Sequence, residues 1–406
     1  MERPALITIA LLATLLVVGA CDDLTGSSQA PERAEPEPPP SWDYSDLDDD
    51  EIRDFTDLRP GDLRRITTGE AQLFPACREL FEEDGEFLDW PFEPGAHRRA
   101  LYGCDPEAYL EFGESRAVAY SRAVEGEDRT TNLQVVVYGP DGSVAWHHVM
   151  DRTAESRNFT ANYRGSFLTA LQDRLLCGGT LFQGNTLFFC ARQDSGEVVH
   201  EGRLDFWAGV RPFAFANGLV SADIRGITLR YPFTGAEMRH RSLPGRGGRA
   251  AFYATDEEQI FFAPAEDEPL LTAWDLDTMS KSWEALLPSR PRITFQVTST
   301  DHRLLLLKVG PTILGIDTDD GALRMAFHVG EAFPPVGFSE DTLYLLLRRD
   351  DDPALIYALN PDDGEVRWVA MAPSGTLDLT YDDELLVRSV RAVRPVTPAP
   401  DDPDDG

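Results

Sequence analysis

The chain has 406 residues, 42% hydrophobic and 26% charged, which is enough apolar content for a folded core and excludes wholesale disorder. With 70 acidic against 37 basic residues the formal net charge is −33; such a surface repels phosphate backbones and excludes a general nucleic-acid binder. One long apolar run occurs, at the N-terminus, with no second candidate membrane span.

That run occupies residues 1–20. Arg3 supplies a positive start, and Ala5 to Val18 is apolar apart from Thr8 and Thr14. It is short for a spanning helix, which needs about 20 apolar residues. The small residues Val18-Gly19-Ala20 then mark a secretory signal. With Cys21 directly after them, the segment resembles the lipobox of bacterial lipoproteins. The resemblance implies removal of residues 1–20, diacylation of Cys21, and a chain lipid-anchored to a bacterial membrane, on the periplasmic face or the cell surface. Asp22 resembles the inner-membrane retention signal of enteric bacteria, and both membranes remain open.

Residues 21–60 read as an acidic, Pro-rich disordered tether: from 22 to 60 the chain is dominated by acidic, Pro and Ser residues, as in Glu35-Pro-Glu-Pro-Pro-Pro-Ser41. A solvated spacer is expected, the alternative being a partner-binding peptide around Trp42 and Tyr44. Residues 61–113 read as a small helical cap. Leu73, Phe74, Cys77, Leu80 and Phe81 share a helical face, and Asp105-Pro106-Glu107 opens a second helical turn ending at Gly113. Only Lys281 and Lys308 are lysines; an acidic, Lys-poor surface suits high salt, and GC-rich coding explains the arginine bias equally well.

The four cysteines beyond Cys21 suit an oxidising compartment. A hairpin turning at Gln183-Gly184 sets Cys177 opposite Cys190, which predicts a disulfide across adjacent strands. Cys77 and Cys104 then pair by elimination. No Cys-x-x-Cys occurs, so zinc is not expected.

Turn motifs recur at Gly142, Gly196, Gly235, Met279, Gly321 and Gly364. Their spacing, mostly about 40–45 residues, and the short β runs before the later turns predict an all-β propeller over residues 114–391, of six or seven four-stranded blades. Leu377-Asp-Leu-Thr-Tyr381 and Glu384-Leu-Leu-Val-Arg388 offer two further strands, which could close the ring on strands around Arg116 to Ser121. Residues 392–406 read as an acidic disordered tail. Ile356-Tyr-Ala-Leu-Asn-Pro-Asp-Asp-Gly-Glu-Val-Arg-Trp368 resembles the PQQ-like, quinoprotein alcohol dehydrogenase-like propeller repeat. The resemblance implies that the residue four past the turn wedges adjacent blades together. It is Trp146, Trp283 and Trp368 in three copies, and His200, Arg239 and Met325 in the others. WD40 is the runner-up, through Trp274-Asp275, but no Gly-His partner accompanies it.

Quinoproteins of that family grip their cofactor with a vicinal cysteine disulfide, a stacking Trp and a calcium-binding Glu/Asn/Asp set. No Cys-Cys pair stands here and no calcium set aligns, so no cofactor is expected. His147-His148 with Asp151 is the one near-cluster, but strand neighbours point to opposite faces, so neither a metal site nor a catalytic set is predicted. Gly245-Arg-Gly-Gly248 lacks a phosphate-loop Lys, and Asp350-Asp-Asp-Pro353 reads as a solvated loop. The expected function is a membrane-anchored, non-enzymatic scaffold with an envelope-protein partner. The alternatives are a glycan- or small-ligand-binding propeller, and a degenerate quinoprotein-type enzyme.

Overall fold

The computed structural model describes residues 39–47, 52–54, 63–73, 76–93, 97–104, 106–123, 131–152, 163–172, 174–182, 185–204, 212–223, 226–243, 250–256, 258–264, 270–288, 293–299, 301–329, 334–348, 354–390 and 392–399. Residues 1–38 with Cys21, the Gln183-Gly184 turn, Gly245–Gly248 and Asp350–Pro353 lie outside the described residues.

The described chain is a seven-bladed β-propeller. Blade 1 contains Ala108–Phe112, Ser115–Ala123, Thr131–Tyr138 and Val144–Met150, paired in chain order. Blades 2 to 6 repeat the plan, from Tyr163–Leu171 to Val198–Leu204, Phe213–Phe215 to Glu237–Arg241, Ala250–Thr255 to Ser280–Leu286, Ile293–Ser299 to Leu323–His328, and Val336–Phe338 to Val366–Met371. First strands of successive blades pack side by side, so the first strand is the inner one and the last the outer.

Blade 7 is built from both ends of the chain. Asp378–Asp382, Glu384–Arg388 and Ala392–Pro398 supply three strands, and Ile66–Thr68 adds the fourth, antiparallel to Ala392–Pro398. The ring therefore closes on an N-terminal strand, but not on the one around Arg116 to Ser121, which is central to blade 1. This corrects two boundaries. The propeller extends beyond 114–391, since Ala108–Phe112 and Ala392–Pro398 are blade strands. The start of the expected disordered tail is thus ordered sheet. The helical turn expected from Asp105 to Gly113 is instead a strand, because Ala108–Phe112 zips residue by residue onto Ser115–Ala123.

The expected tether is corrected too. Ser41–Asp43 joins the outer edge of blade 4 as a fifth, parallel strand, and Arg53–Asp54 does the same on blade 5. Arg64 bridges to Ala370 on blade 6 before the chain enters blade 7. Trp42 Nε1 donates to the Asp320 carbonyl (2.7 Å), and the Tyr44 hydroxyl donates to the Gly321 carbonyl. Trp42 and Tyr44 thus grip this chain's own blade 5, and the segment is a strap over four blades.

Each blade is a sheet that buries its faces against neighbouring blades or, on one face of blade 1, against the cap. Six apolar clusters fill the seams between successive blades; between blades 4 and 5, Phe261, Trp283, Leu305 and Leu314 meet. The seventh cluster joins blade 1 to the cap, through Phe81, Leu101, Tyr120 and Tyr138. The cap contains helix α1 (Cys77–Phe81), a short hairpin (Glu82–Glu83 and Glu86–Phe87) and helix α2 (His97–Cys104). Helix α1 lies on blade 1 and α2 on blade 7, where Arg388 stacks over the Tyr102 ring. The cap is thus a wedge touching the two blades where the ring closes. Disulfides Cys77–Cys104 and Cys177–Cys190 are both formed, the second between directly opposed residues of blade 2.

Reduction of the wedge should therefore loosen ring closure. Replacing Cys77 and Cys104 together by Ala is expected to lower unfolding stability by about 2–4 kcal/mol in urea titration. Protease cleavage in the cap should rise before any cleavage in blades 2 to 5.

Candidate functional site

Antiparallel alternation gives a blade two unlike ends. The turns between third and fourth strands lie at one end, and the loops between second and third strands and between blades lie at the other. All six turn positions read from the sequence are at the first end, and all have positive φ, from 54° at Met279 to 82° at Gly142 and Gly321. The outer strand of each of blades 1 to 6 carries a ladder irregularity beside its turn, as expected for a G1-type bulge.

This end holds the ring together. Trp146 of blade 1 donates to the Gln193 carbonyl in the turn of blade 2 (2.9 Å), and Trp283 of blade 4 donates to Thr318 in the turn of blade 5 (2.8 Å). A Cβ on Gly196 or Gly321 would lie 2.7 Å from the docked indole, so the ring's approach requires glycine there. The positions without Trp dock as well. Arg239 donates to the Asp277 carbonyl of blade 4 (2.6 Å), His200 abuts Gly235, and Met325 abuts Gly364. Trp368 packs with Tyr344 and Tyr381 at the seam to blade 7, which has no continuous third-to-fourth turn. Sequence reasoning missed Trp90. From the cap, it packs on the turn of blade 1, its backbone N–H donating to the Gly142 carbonyl (2.7 Å) and its Cβ 3.3 Å from a Gly142 Cβ.

Of the buried charged groups, Glu82 and Arg152 serve seams, whereas Asp256 accepts from the Glu258 and Gln259 N–H groups of its own turn and Lys308 donates to the Gly310 carbonyl. Glu82 is held between Arg122 (3.2 Å) and Arg78 (3.5 Å) and accepts from the Tyr120 hydroxyl (3.4 Å), tying cap to blade 1. Burial and the neighbouring carboxylate push the Tyr120 phenol up, so it stays a donor. Arg152, 3% exposed, pairs with Glu107 (3.2 Å), which also accepts from Ser121 and Ser166. Ser166 is fully buried on the inner strand of blade 2 and beyond a substrate's reach, so this cluster joins blades 1 and 2. His147 and His148 point apart as expected: His147 packs on Phe87 of the cap, and His148 on Phe189 of blade 2. Among the described residues no group of His, Cys, Asp and Glu is arranged to hold a metal.

The opposite end carries exposed apolar side chains. Leu73 and Val390 are 76% and 79% exposed, and Leu377 is exposed beside them. The backbone sets their proximity. Leu377 N–H donates to the Arg388 carbonyl (2.7 Å), the Ser389–Ala392 turn carries Val390, and Ala392 pairs with Leu73. Exposed Met371 ends the outer strand of blade 6 toward the same end. The outer edges differ as well. The strap covers blades 4 and 5, touches blade 6 and completes blade 7, whereas the last strands of blades 1, 2 and 3 are sheet edges among the described residues.

No family model and no curated protein matches the chain. Among solved structures the chain is similar to BamB from Moraxella catarrhalis, with 12% identity, 82% of this chain and 86% of that one covered, and a TM-score of 0.47. It is similar to the β-propeller domain of Cps50 (Swd1) from Myceliophteria thermophila, with 13% identity, coverage of 72% and 96%, and a TM-score of 0.45. It is also similar to the WD40 domain of Pan2 from Neurospora crassa, with 12% identity, coverage of 54% and 71%, and a TM-score of 0.37. None of these proteins lends this chain a site or a partner.

Trp283→Ala should cost about 3–5 kcal/mol, since a fully buried indole and its turn contact are lost together. Titration at His148 gives a second test. Burial holds this imidazole below its ordinary value of 6.5, outweighing Glu201 at 3.9 Å. The unfolded chain then takes up the proton first, so this contribution to stability is present above about pH 6.5 and is lost as pH falls. Between about pH 7.5 and about pH 5.5 the urea midpoint should fall more in the native protein than in His148→Phe.

Proposed function

We propose that this protein is a lipid-anchored, non-enzymatic propeller scaffold that holds a protein partner in the bacterial cell envelope. The observation that carries the reading is the exposed apolar group Leu73, Leu377 and Val390 at the end opposite the docking turns. That end presents loops from a ring whose other end is occupied by its own seams, and a clustered apolar surface on a rigid frame marks protein contact. The chain's net charge of −33 argues against a nucleic-acid partner. The anchor rests on the lipobox resemblance at Cys21, and the disulfides suit an oxidising compartment. The indole-to-turn contacts of Trp146 and Trp283 support kinship with PQQ-like propellers in architecture, without their cofactor.

Two measurements test this. Cys21→Ser should move the protein from the membrane to the soluble fraction; retention in the membrane would refute the anchor. A photo-cross-linking residue at Val390 should capture one reproducible envelope protein in intact cells. Leu73→Asp with Leu377→Asp should reduce that yield at least tenfold without shifting the melting temperature. Recovery of the protein alone, at good cross-linking yield, would refute the scaffold reading in favour of a glycan or small ligand.

A further inference from the structure

The outer edge of blade 3 differs from every other edge of the ring. Its last strand, Glu237–Arg241, is exposed at all five residues and pairs with one strand only among the described residues. Blades 4 and 5 show how this fold completes such an edge. An extended segment adds in parallel, with Glu284 N–H donating to the Pro40 carbonyl (3.0 Å) and Tyr44 N–H to the Leu286 carbonyl (2.8 Å). The described strap residues are engaged on blades 4 to 7, and among the described residues no segment of this chain pairs with the edge of blade 3.

Charge selects what that chain is. Of the three bare outer strands, Val144–Met150 has no formal charge, and in Val198–Leu204 Glu201 offsets Arg203. Only Glu237–Arg241 is net positive, in a protein of net charge −33. Its two faces are distinct. Arg239 reaches the Asp277 carbonyl, and Arg241 lies over the Trp274 ring at 5.3 Å, so both guanidinium groups lie on the side toward blade 4. His240 bonds Thr228 (3.0 Å), and Met238, on the same side as His240, is exposed. An added strand would set alternate side chains beside the two arginines and the intervening ones beside Met238.

We infer that the edge of blade 3 is a docking site for an extended, acidic segment of a partner protein, added as a fifth, parallel strand. Backbone hydrogen bonds supply affinity in this mode and the alternating side chains supply selectivity. The inference rests on the scaffold reading and gives it a second contact surface.

The probe is a fluorescein-labelled, end-capped eight-residue peptide alternating Glu and Val, measured by fluorescence polarisation against the disulfide-intact protein. It should bind, an alternating Lys and Val peptide should bind at least tenfold more weakly, and raising salt from about 0.05 M to about 0.5 M should weaken the acidic peptide. N-methylation of alternate peptide nitrogens on the edge-facing side should abolish binding. Arg241→Glu should weaken it at least tenfold at an unchanged melting temperature, and Arg239→Glu with Arg241→Glu should weaken it at least as much, with a lower melting temperature because the Arg239 contact to blade 4 is lost. Should the double variant unfold, the single variant and the N-methylated peptide decide alone. Equal binding of acidic and basic peptides, no loss on N-methylation, or no loss in Arg241→Glu would overturn the inference. So would concentration-dependent dimerisation abolished by Arg241→Glu without peptide binding, which would assign the edge to a second copy. Failure here with the Val390 cross-link retained overturns the edge site alone, and failure of both overturns the scaffold reading as well.

Discussion

A flat sheet with two apolar faces is stable only between two neighbours, so a propeller depends on its least protected seam, where the chain's ends meet. Here that seam is filled by three devices at once. Ile66–Thr68 completes blade 7 through the backbone, the cap places Phe81 and Leu101 in the apolar cluster on blade 1, and the Trp90 backbone N–H bonds the first turn, where outer-strand side chains do so elsewhere. The Cys77–Cys104 disulfide holds the two helices of the wedge together, one on each flanking blade. Local forces in blades 2 to 6 repeat from blade to blade, whereas closure relies on contacts between residues about 330 positions apart, as in the Arg64 Nε to Ala399 carbonyl bond.

Parts of this design are legible in the sequence because they are local. The six turn positions need positive φ, and Gly or a permissive neighbour at a near-constant period reveals them. Strand pairing about a short hairpin sets Cys177 opposite Cys190, so that disulfide follows from arithmetic. Blade 7 is harder to read because its fourth strand precedes the cap and no turn motif joins it to the third. The strap is invisible for another reason. Strands of two or three residues have no period, and parallel edge pairing is made by backbone groups that Ser41, Asp43 and Arg53 share with every residue. Acidic and Pro-rich composition around them then reads as solvated linker.

The docking position shows how a motif can fade while its role persists. What a seam requires is a group that fills the space over the next turn and, where it can, satisfies a turn carbonyl. Trp146 and Trp283 do both, Arg239 bonds a carbonyl, and His200 and Met325 fill space. A search for Trp alone finds half of the positions. The chemistry-bearing residues divide similarly: Glu82, Arg152 and Ser166 are buried at seams with partly buried Glu107 joining the last two, and the candidate interaction surfaces are apolar side chains at one end and a basic outer strand at the rim.

The pairing of Ile66–Thr68 with Ala392–Pro398 also governs biosynthesis. The first of these strands leaves the ribosome about 330 residues before its partner. Blades 1 to 6 can form as they emerge, but blade 7 and the clasp must wait for Ala392–Pro398. Until then an unpaired strand and an apolar wedge stay exposed, the kind of surface that aggregates or recruits chaperones. A chain released just short of Ala392 would therefore carry the strands of six blades and an open ring.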